Sequence, residues 1–477
     1  MPPLNLRPLL AHLHQRAVQN HQRHLLVLVG RSDWALNCIN QLPQTLLWAS
    51  GLWVSNQPEL PQLGFADQIR LLKPSRCHQV LGQEFLWGVI DGSDGVDPDA
   101  LGACSGTLCG GGLLVLLLPP SDGGGCSPFD NWLHQCLRPS QGVSIVRQGA
   151  AIPESLSIES AAPILPEPEL ASVAAIDADC VTDDQAEAVK QIIRVAQGHR
   201  RRPLVLSADR GRGKTAALGI AAARLLQQRP RYIRVTAPTA AAIEPLFERL
   251  QAMLPNCRRQ GAQVVFEQSK LEFVALDLLL SQLEAGQEPA QQCDLLLVDE
   301  AAAIPAPMLE RLLRHHARIV FSSTVHGFEG TGRGFLIRFR QALDRYTPNW
   351  RQFELSAPIR WREGDPLERW VFDTLLLDAE PYPITEQKLD LTQVKLRLWS
   401  STQLLDDPQQ LRQMFALLVQ AHYRTTPGDL RDLLNEPSMQ VWLLHQTGSK
   451  GVLGVILVSE EGGFEPPLAE AIWLGQG

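Results

Sequence analysis

The segment from Arg202 to Ala222 constrains this chain more than any other. Pro203 to Ser207 (PLVLS) reads as a buried strand, and Ala216 to Leu226 as an amphipathic helix. Between them lies Ala208-Asp209-Arg210-Gly211-Arg212-Gly213-Lys214-Thr215. Strand, glycine turn, Lys-Thr and helix in that order form the P-loop context. Gly211 and Gly213 let the backbone curl so that its N–H groups face phosphate oxygens. The following helix points its positive dipole end at the same anion. Lys214 reaches toward the β- and γ-phosphates, and the Thr215 hydroxyl is a ligand for Mg²⁺. Ala208 stands where the pattern usually has its first glycine. The expectation is an ATP site built from residues 208–215.

Four further segments fit that expectation. Cys293 to Val298 (CDLLLV) is a strand that delivers Asp299-Glu300 to its C-terminal end. There Asp299 would hold Mg²⁺ through water, and Glu300 would orient the attacking water. Upstream, Thr182-Asp183-Asp184-Gln185 opens a helix running to Ala196. Thr182 with Gln185 fits a capping box, but a Gln at this place also suits adenine recognition, and both readings stay open. Val235 to Thr239 (VTAPT) is a strand ending in a turn that would touch a nucleic-acid backbone. Ile319 to Ser323 (IVFSS) is another strand, and the Ser/Thr-rich turn after it suits a γ-phosphate sensor. Arg333, in the following glycine-rich stretch, is a candidate for reaching the triphosphate.

The chain has 477 residues, 45% hydrophobic and 20% charged, with net charge −8. That length predicts about three domains, and the composition excludes a disordered, collagen-like or coiled-coil chain. Nothing reaches the 18 consecutive apolar residues of a membrane span. The nine cysteines include no CxxC pair, which disfavours zinc ribbons and thioredoxin-type sites. Residues 1–146 read as an α/β domain with a parallel sheet. Strands are expected at His24–Gly30, Thr45–Ser50, Phe85–Ile90 and Gly112–Leu118. Asp91, Asp94, Asp97 and Asp99 follow the third strand, where capping acids in a solvated loop are favoured over a metal site. A proline- and acid-rich stretch makes 147–179 a linker. The P-loop unit then occupies 180–385, and a third unit 386–477.

From Arg311 to Trp370 there are eleven arginines, no lysine and six acids. Phe328, Phe335, Phe339, Tyr346, Trp350, Phe353, Trp361 and Trp370 are interleaved with them. Arginine with aromatics suits a phosphate backbone and stacked bases, so RNA contact is expected in this segment.

The strings ADRGRGKTAALG, VTAPT, LLLVDEAAAIP, STVHGFEGTGRGF and ELSAPIRWREGDPLERW occur in this order. Ala421 to Leu430 (AHYRTTPGDL) follows, with strand-like runs Val441–Leu444 and Val452–Val458. Together they resemble the tRNA(Met) cytidine acetyltransferase family. The resemblance implies an α/β protein. It would have an N-terminal parallel-sheet domain, a RecA-like P-loop ATPase domain and the start of a GNAT acetyltransferase domain. It implies a cytoplasmic enzyme that makes N4-acetylcytidine at the wobble position of elongator tRNA(Met). Acetyl-CoA and ATP or GTP with Mg²⁺ would be its cofactors, and neither DNA nor a membrane its partner. Gln185, Ala208 to Thr215 and Arg333 would bind nucleotide, Asp299 and Glu300 would serve hydrolysis, and Arg360 would be a second basic contact to nucleotide or RNA. No Gln/Arg-x-x-Gly-x-Gly/Ala turn follows Val452. The expectation is that these residues bind ATP but lack the acetyl-CoA and main tRNA sites. Two alternatives are an ATP-dependent RNA-remodelling motor without acyl transfer and an ATP-gated RNA-binding module.

Overall fold

A computed structural model describes residues 5–57, 59, 68–120, 127–138, 142–150, 177–285, 293–325, 332–383, 391–421, 425–460, 463 and 465–474. The side chains of 332–338 and 391 lie outside that description. The first sheet contains β1 (His24–Val29), β2 (Gly51–Val54), β3 (Ile69–Leu72), β4 (Phe85–Asp91), β5 (Leu108–Leu118) and β6 (Val143–Arg147). All its pairings are parallel, in the order β3-β2-β4-β5-β1-β6. Continuous apolar strands such as HLLVLV, buried along their whole length, are what a sheet covered on both faces requires.

The expected strand at Thr45–Ser50 is not one. Gln44–Leu47 forms a helical turn, and the strand begins at Gly51. A short apolar run cannot by itself separate a buried helical turn from a buried strand. Here Pro43 sits at the N-cap of that turn, and the chain pairs only once Gly51 lies beside β4. β3 and β6 were not expected.

The second sheet contains β7 (Leu204–Ala208), β8 (Tyr232–Thr236), β9 (Arg258–Gln260), β10 (Gln263–Phe266), β11 (Ser269–Phe273), β12 (Leu295–Val298), β13 (Ile319–Thr324) and β14 (Arg351–Leu355). The order is β14-β7-β13-β12-β8-β11-β10-β9, parallel except for the antiparallel β9–β10–β11 edge. Its two faces carry separate apolar clusters. One is built around the helix Lys214–Gln228, the other around Phe321, Phe339 and the helix Ala306–His315. β13 lies between β7 and β12, which decides what stands between the P-loop and Asp299-Glu300.

The third sheet is antiparallel, β15 (Val394–Trp399), β16 (Met439–Gln446) and β17 (Val452–Ser459). The helix Pro408–Ala421 packs on it. The three sheets share their cores. The helix Pro366–Leu375 buries Leu367, Trp370, Val371 and Leu375 in the core of the first sheet. The helix Pro128–Cys136 gives Phe129 and Trp132 to the core of the third. Asp97 caps its helix by accepting from the Ala100 N–H, and Asp99 accepts from the Gly428 N–H at 3.0 Å. Two of the four acids at and after the end of β4 are therefore helix and docking groups. Among the described residues, no cluster of three or more His, Cys, Asp or Glu side chains is placed to hold a metal ion. None of the described helices is long and apolar enough to cross a membrane.

Candidate nucleotide site

The C-terminal ends of β7, β13 and β12 meet at one edge of the second sheet. β7 feeds the turn 209–213, and the helix Lys214–Gln228 starts directly after Gly213. Gly211 and Gly213 have φ of +79° and +76°, the left-handed region that glycine enters without strain. β12 is followed directly by Asp299, which is fully buried. The Thr215 hydroxyl donates to Asp299 Oδ2 at 2.7 Å, and the Glu300 N–H donates to Oδ1 at 3.0 Å. From the intervening strand, Thr324 Oγ1 accepts from Lys214 Nζ at 3.0 Å and donates to Glu300 Oε2 at 3.0 Å. Lys214, Thr215, Asp299, Glu300 and Thr324 thus form one linked polar cluster, brought together from three strands.

Two features set the cluster apart, one electrostatic and one conformational. Burial, with the neighbouring Glu300 charge second, pushes the Asp299 carboxyl up from 3.8 to about 6. Glu300 holds φ +46°, a left-handed conformation uncommon for a residue with a Cβ. The donor set of one hydroxyl and two carboxylates is hard oxygen throughout, which suits Mg²⁺. Two carboxylates cannot fill six positions, which fits a cation that completes its shell with water and phosphate oxygens.

The other expected residues are placed unevenly. Gln185 is buried beside the P-loop, but its amide is engaged within the fold. Its Oε1 accepts from the Val181 N–H at 2.9 Å, and its Nε2 donates to the Gly213 carbonyl at 3.3 Å. Arg212 is turned away along a buried ion pair with Glu368 at 2.9 Å. Arg360 points into the first domain. It donates to the Gly106 and Gly82 carbonyls at 3.0 and 3.2 Å and pairs with Glu84 at 3.2 Å. Burial holds its guanidinium below the usual range. It is a strut between domains, because residues 106–110 reach it before any phosphate would. Arg333 is the second residue of the helix Gly332–Tyr346, with its side chain outside the described residues. Pro238 and Thr239 of the TAPT turn are exposed at the end of β8.

The aromatics expected to stack on RNA bases are largely core. Phe339 packs edge-on to Phe321 with ring centroids 4.9 Å apart, and Trp361 and Trp370 are buried. Tyr346 and Trp350 take arginines over their rings, and the Trp350 Nε1–H donates to Asp344. Phe328 and the side chain of Phe335 lie outside the described residues. Phe339 fills space beside β13, Trp370 lies in the core of the first sheet, and Trp361 is sandwiched between Gly211 and Arg23.

Sequence reasoning missed that the segment after β14 packs on the P-loop. Ile359 donates its N–H to the Gly211 carbonyl at 2.9 Å. The Trp361 ring lies against Gly211, and Arg23 stacks on that ring 3.3 Å from its centroid. Arg23 in turn is ion-paired with Asp365 at 2.8 Å, both fully buried. The string holding these residues was visible only as part of a resemblance.

A parallel sheet presenting a glycine turn, Lys-Thr and Asp-Glu at one edge defines a P-loop ATPase-type α/β protein. Residues 205–378 match the family model for RNA cytidine acetyltransferase NAT10/TcmA, helicase domain. Residues 1–141 match that for tRNA(Met) cytidine acetyltransferase TmcA, N-terminal. The chain belongs to the tRNA(Met) cytidine acetyltransferase family through these two domains. It is 39% identical to the tRNA(Met) cytidine acetyltransferase TmcA of Nitrosococcus halophilus, over 99% of this chain and 64% of that protein. It is 40% identical to that of Vibrio cholerae, over 98% of this chain and 61% of that protein. It therefore spans less than two thirds of the length of these relatives. The large terminase of a thermophilic bacteriophage, in complex with ADP, matches with a TM-score of 0.28 and 15% identity, covering 36% of this chain and 45% of that one. So distant a likeness bears no weight.

Proposed function

We propose that this chain is the nucleotide-driven portion of an enzyme that acetylates N4 of the wobble cytidine in elongator tRNA(Met), in the cytoplasm. The observation that carries the ATPase half is the linked cluster of Lys214, Thr215, Thr324, Asp299 and Glu300. In this reading the chain comprises units 1–146, 180–385 and 386–477, with 147–179 linking the first two. The third would open a GNAT acetyltransferase domain. Residues 208–215 bind the triphosphate of ATP or GTP and Arg333 would reach it, while Gln185 and Arg360, which the resemblance also assigns to nucleotide, are engaged within the fold. Thr215 and Asp299 would hold Mg²⁺, which supplies neutralisation of phosphate charge when bound. Lys214 leaves Thr324 for the phosphates, and Glu300 accepts from the attacking water. Asp299 must be ionised to serve, so its raised pKa favours nucleotide binding above about pH 6.

The acyl-transfer half rests on the family. The cytosine N4 lone pair is delocalised, so it needs an activated thioester held close. N4 attacks the acetyl-CoA carbonyl, the C–S bond breaks, coenzyme A leaves as the thiol, and N4 gives up a proton. The target base must first be unstacked, at about a few kcal/mol. We assign ATP turnover to that presentation step. The decisive experiment compares wild type and Lys214→Ala on intact tRNA and on a short unstructured RNA, using the full-length protein. The assignment requires the variant to lose activity on tRNA only. Equal loss on both RNAs refutes it. ATPase rates with and without tRNA separate this reading from a gated binding module, which would show no stimulated turnover.

A further inference from the structure

A trans peptide points its C=O and the following N–H to opposite sides. Whatever fixes a carbonyl in the P-loop therefore also aims the next amide. Two carbonyls there are fixed from outside the loop. The Gly211 carbonyl accepts from the Ile359 N–H at 2.9 Å, which turns the Arg212 amide the other way. The Gly213 carbonyl accepts the first bond of the following helix, from the Ala217 N–H at 2.9 Å, and a second from Gln185 Nε2 at 3.3 Å; together they turn the Lys214 amide the other way. Contact geometry enforces the arrangement. A Cβ built on Gly213 would lie 2.2 Å from Ile359 Cδ1 and 2.7 Å from Gln185 Nε2. One built on Gly211 would lie 2.8 Å from Trp361 Cη2.

The brace is anchored at both ends. Asp184, on the helix that carries Gln185, accepts from the Ser356 and Ala357 N–H groups at 2.8 and 2.9 Å. At the far end Gly110 N–H donates to the Arg360 carbonyl at 2.7 Å, and Arg362 N–H to the His21 carbonyl at 2.8 Å. Trp361 Nε1–H donates to Glu368 at 3.2 Å, and Glu368 is the partner of P-loop Arg212. The first domain thus grips the strap 359–362 that grips the P-loop.

We propose that Gln185 and Trp361 are positioning residues that aim the P-loop amides at phosphate, with the N-terminal domain as the anchor of that brace. Gln185 then acts on the phosphate cradle and not on the base. The inference rests on the reading of residues 208–215 as a triphosphate site. It is tested in the full chain by calorimetric binding of two probes, Mg²⁺-ATP and Mg²⁺-tripolyphosphate, which has no base. Gln185→Glu keeps the Oε1 acceptor that serves the helix start and removes the Nε2 donor. It is expected to weaken both probes by the same factor, about tenfold. Trp361→Phe keeps an aromatic ring on Gly211 and loses the tie to Glu368. It is expected to weaken both by about threefold, and it carries the test if the first variant does not fold. Weakened ATP with unchanged tripolyphosphate in Gln185→Glu would make Gln185 a base reader and overturn the proposal. So would binding of both probes within about twofold of wild type in both variants, which would leave the nucleotide site itself standing. A wild-type chain that binds neither probe removes the triphosphate reading and the brace with it.

Discussion

Replacing Arg23 by Met tests how the first domain is fastened to the ATPase unit. Arg23 and Asp365 are 2% and 0% exposed at their side chains, so neither charge has water. Asp365 accepts from Arg23 Nε at 3.1 Å, from Nη2 at 2.8 Å and from the Arg23 backbone N–H at 2.7 Å. It also caps the helix Pro366–Leu375 by accepting from the Glu368 N–H at 2.8 Å. Met preserves much of the stem but leaves the Asp365 carboxylate buried without its counter-ion. Breaking a buried pair in this way costs about 3–5 kcal/mol. Loss of the Arg23 stack on Trp361 adds about 1 kcal/mol. The double variant Arg23→Met/Asp365→Asn removes both charges, and Asn retains an acceptor for the cap. It is expected to recover about half or more of the single-variant loss, because the uncompensated charge was the larger part. Urea unfolding of the four proteins of the cycle, followed by tryptophan fluorescence, gives the coupling directly. A single-variant loss below about 1 kcal/mol, or a double variant no more stable than the single, would refute the reasoning.

Other expectations are simpler. Lys214→Ala should reduce Mg²⁺-ATP binding at least about a hundredfold while leaving the melting temperature near wild type, because a fluorescent ATP analogue reads the phosphate contact alone. Glu300→Gly should stabilise the protein by about 1 kcal/mol in thermal unfolding, since φ +46° suits Gly, and should abolish hydrolysis. His24 is buried against Ser144, and burial, with the Arg16 charge second, pushes its pKa down from 6.5 to about 3. Its neutral form is favoured in the fold, so the stability it provides is complete above pH 6.5 and lost as pH falls toward 3. At pH 4.5 that loss is about 3 kcal/mol, and His24→Gln should remove it from the pH dependence of unfolding. An unchanged pH profile would count against that account.

The P-loop, Asp299-Glu300 and the strand beside them were legible because their chemistry is local. A strand ending in a glycine turn followed by Lys-Thr fixes its own backbone. Similar arguments found β1, β4 and β5. Thr45–Ser50 misled because apolar content alone does not say whether a segment pairs sideways or packs by one face. The aromatics of the arginine-rich segment were hard to place for a related reason. Phe339, Trp361 and Trp370 look like stacking platforms in a list, but their burial depends on β13, on residue 23 and on the first domain's core.

The sequence by itself determined the chemistry at the edge of the second sheet. Residue types at short spacing specify an anion turn, an ammonium, a hydroxyl and two acids, whatever surrounds them. Only the tertiary structure decided how those groups are held. Thr324 bridges Lys214 to Glu300 because β13 inserts between β7 and β12, and strand order is not written in any local pattern. Arg360 became a strut, Gln185 a brace and Arg23 a partner of Asp365 through contacts spanning up to 342 positions in the chain. The reason is physical. A carbonyl or a buried charge takes whichever partner the packing brings within hydrogen-bond reach, and packing is a property of the whole fold.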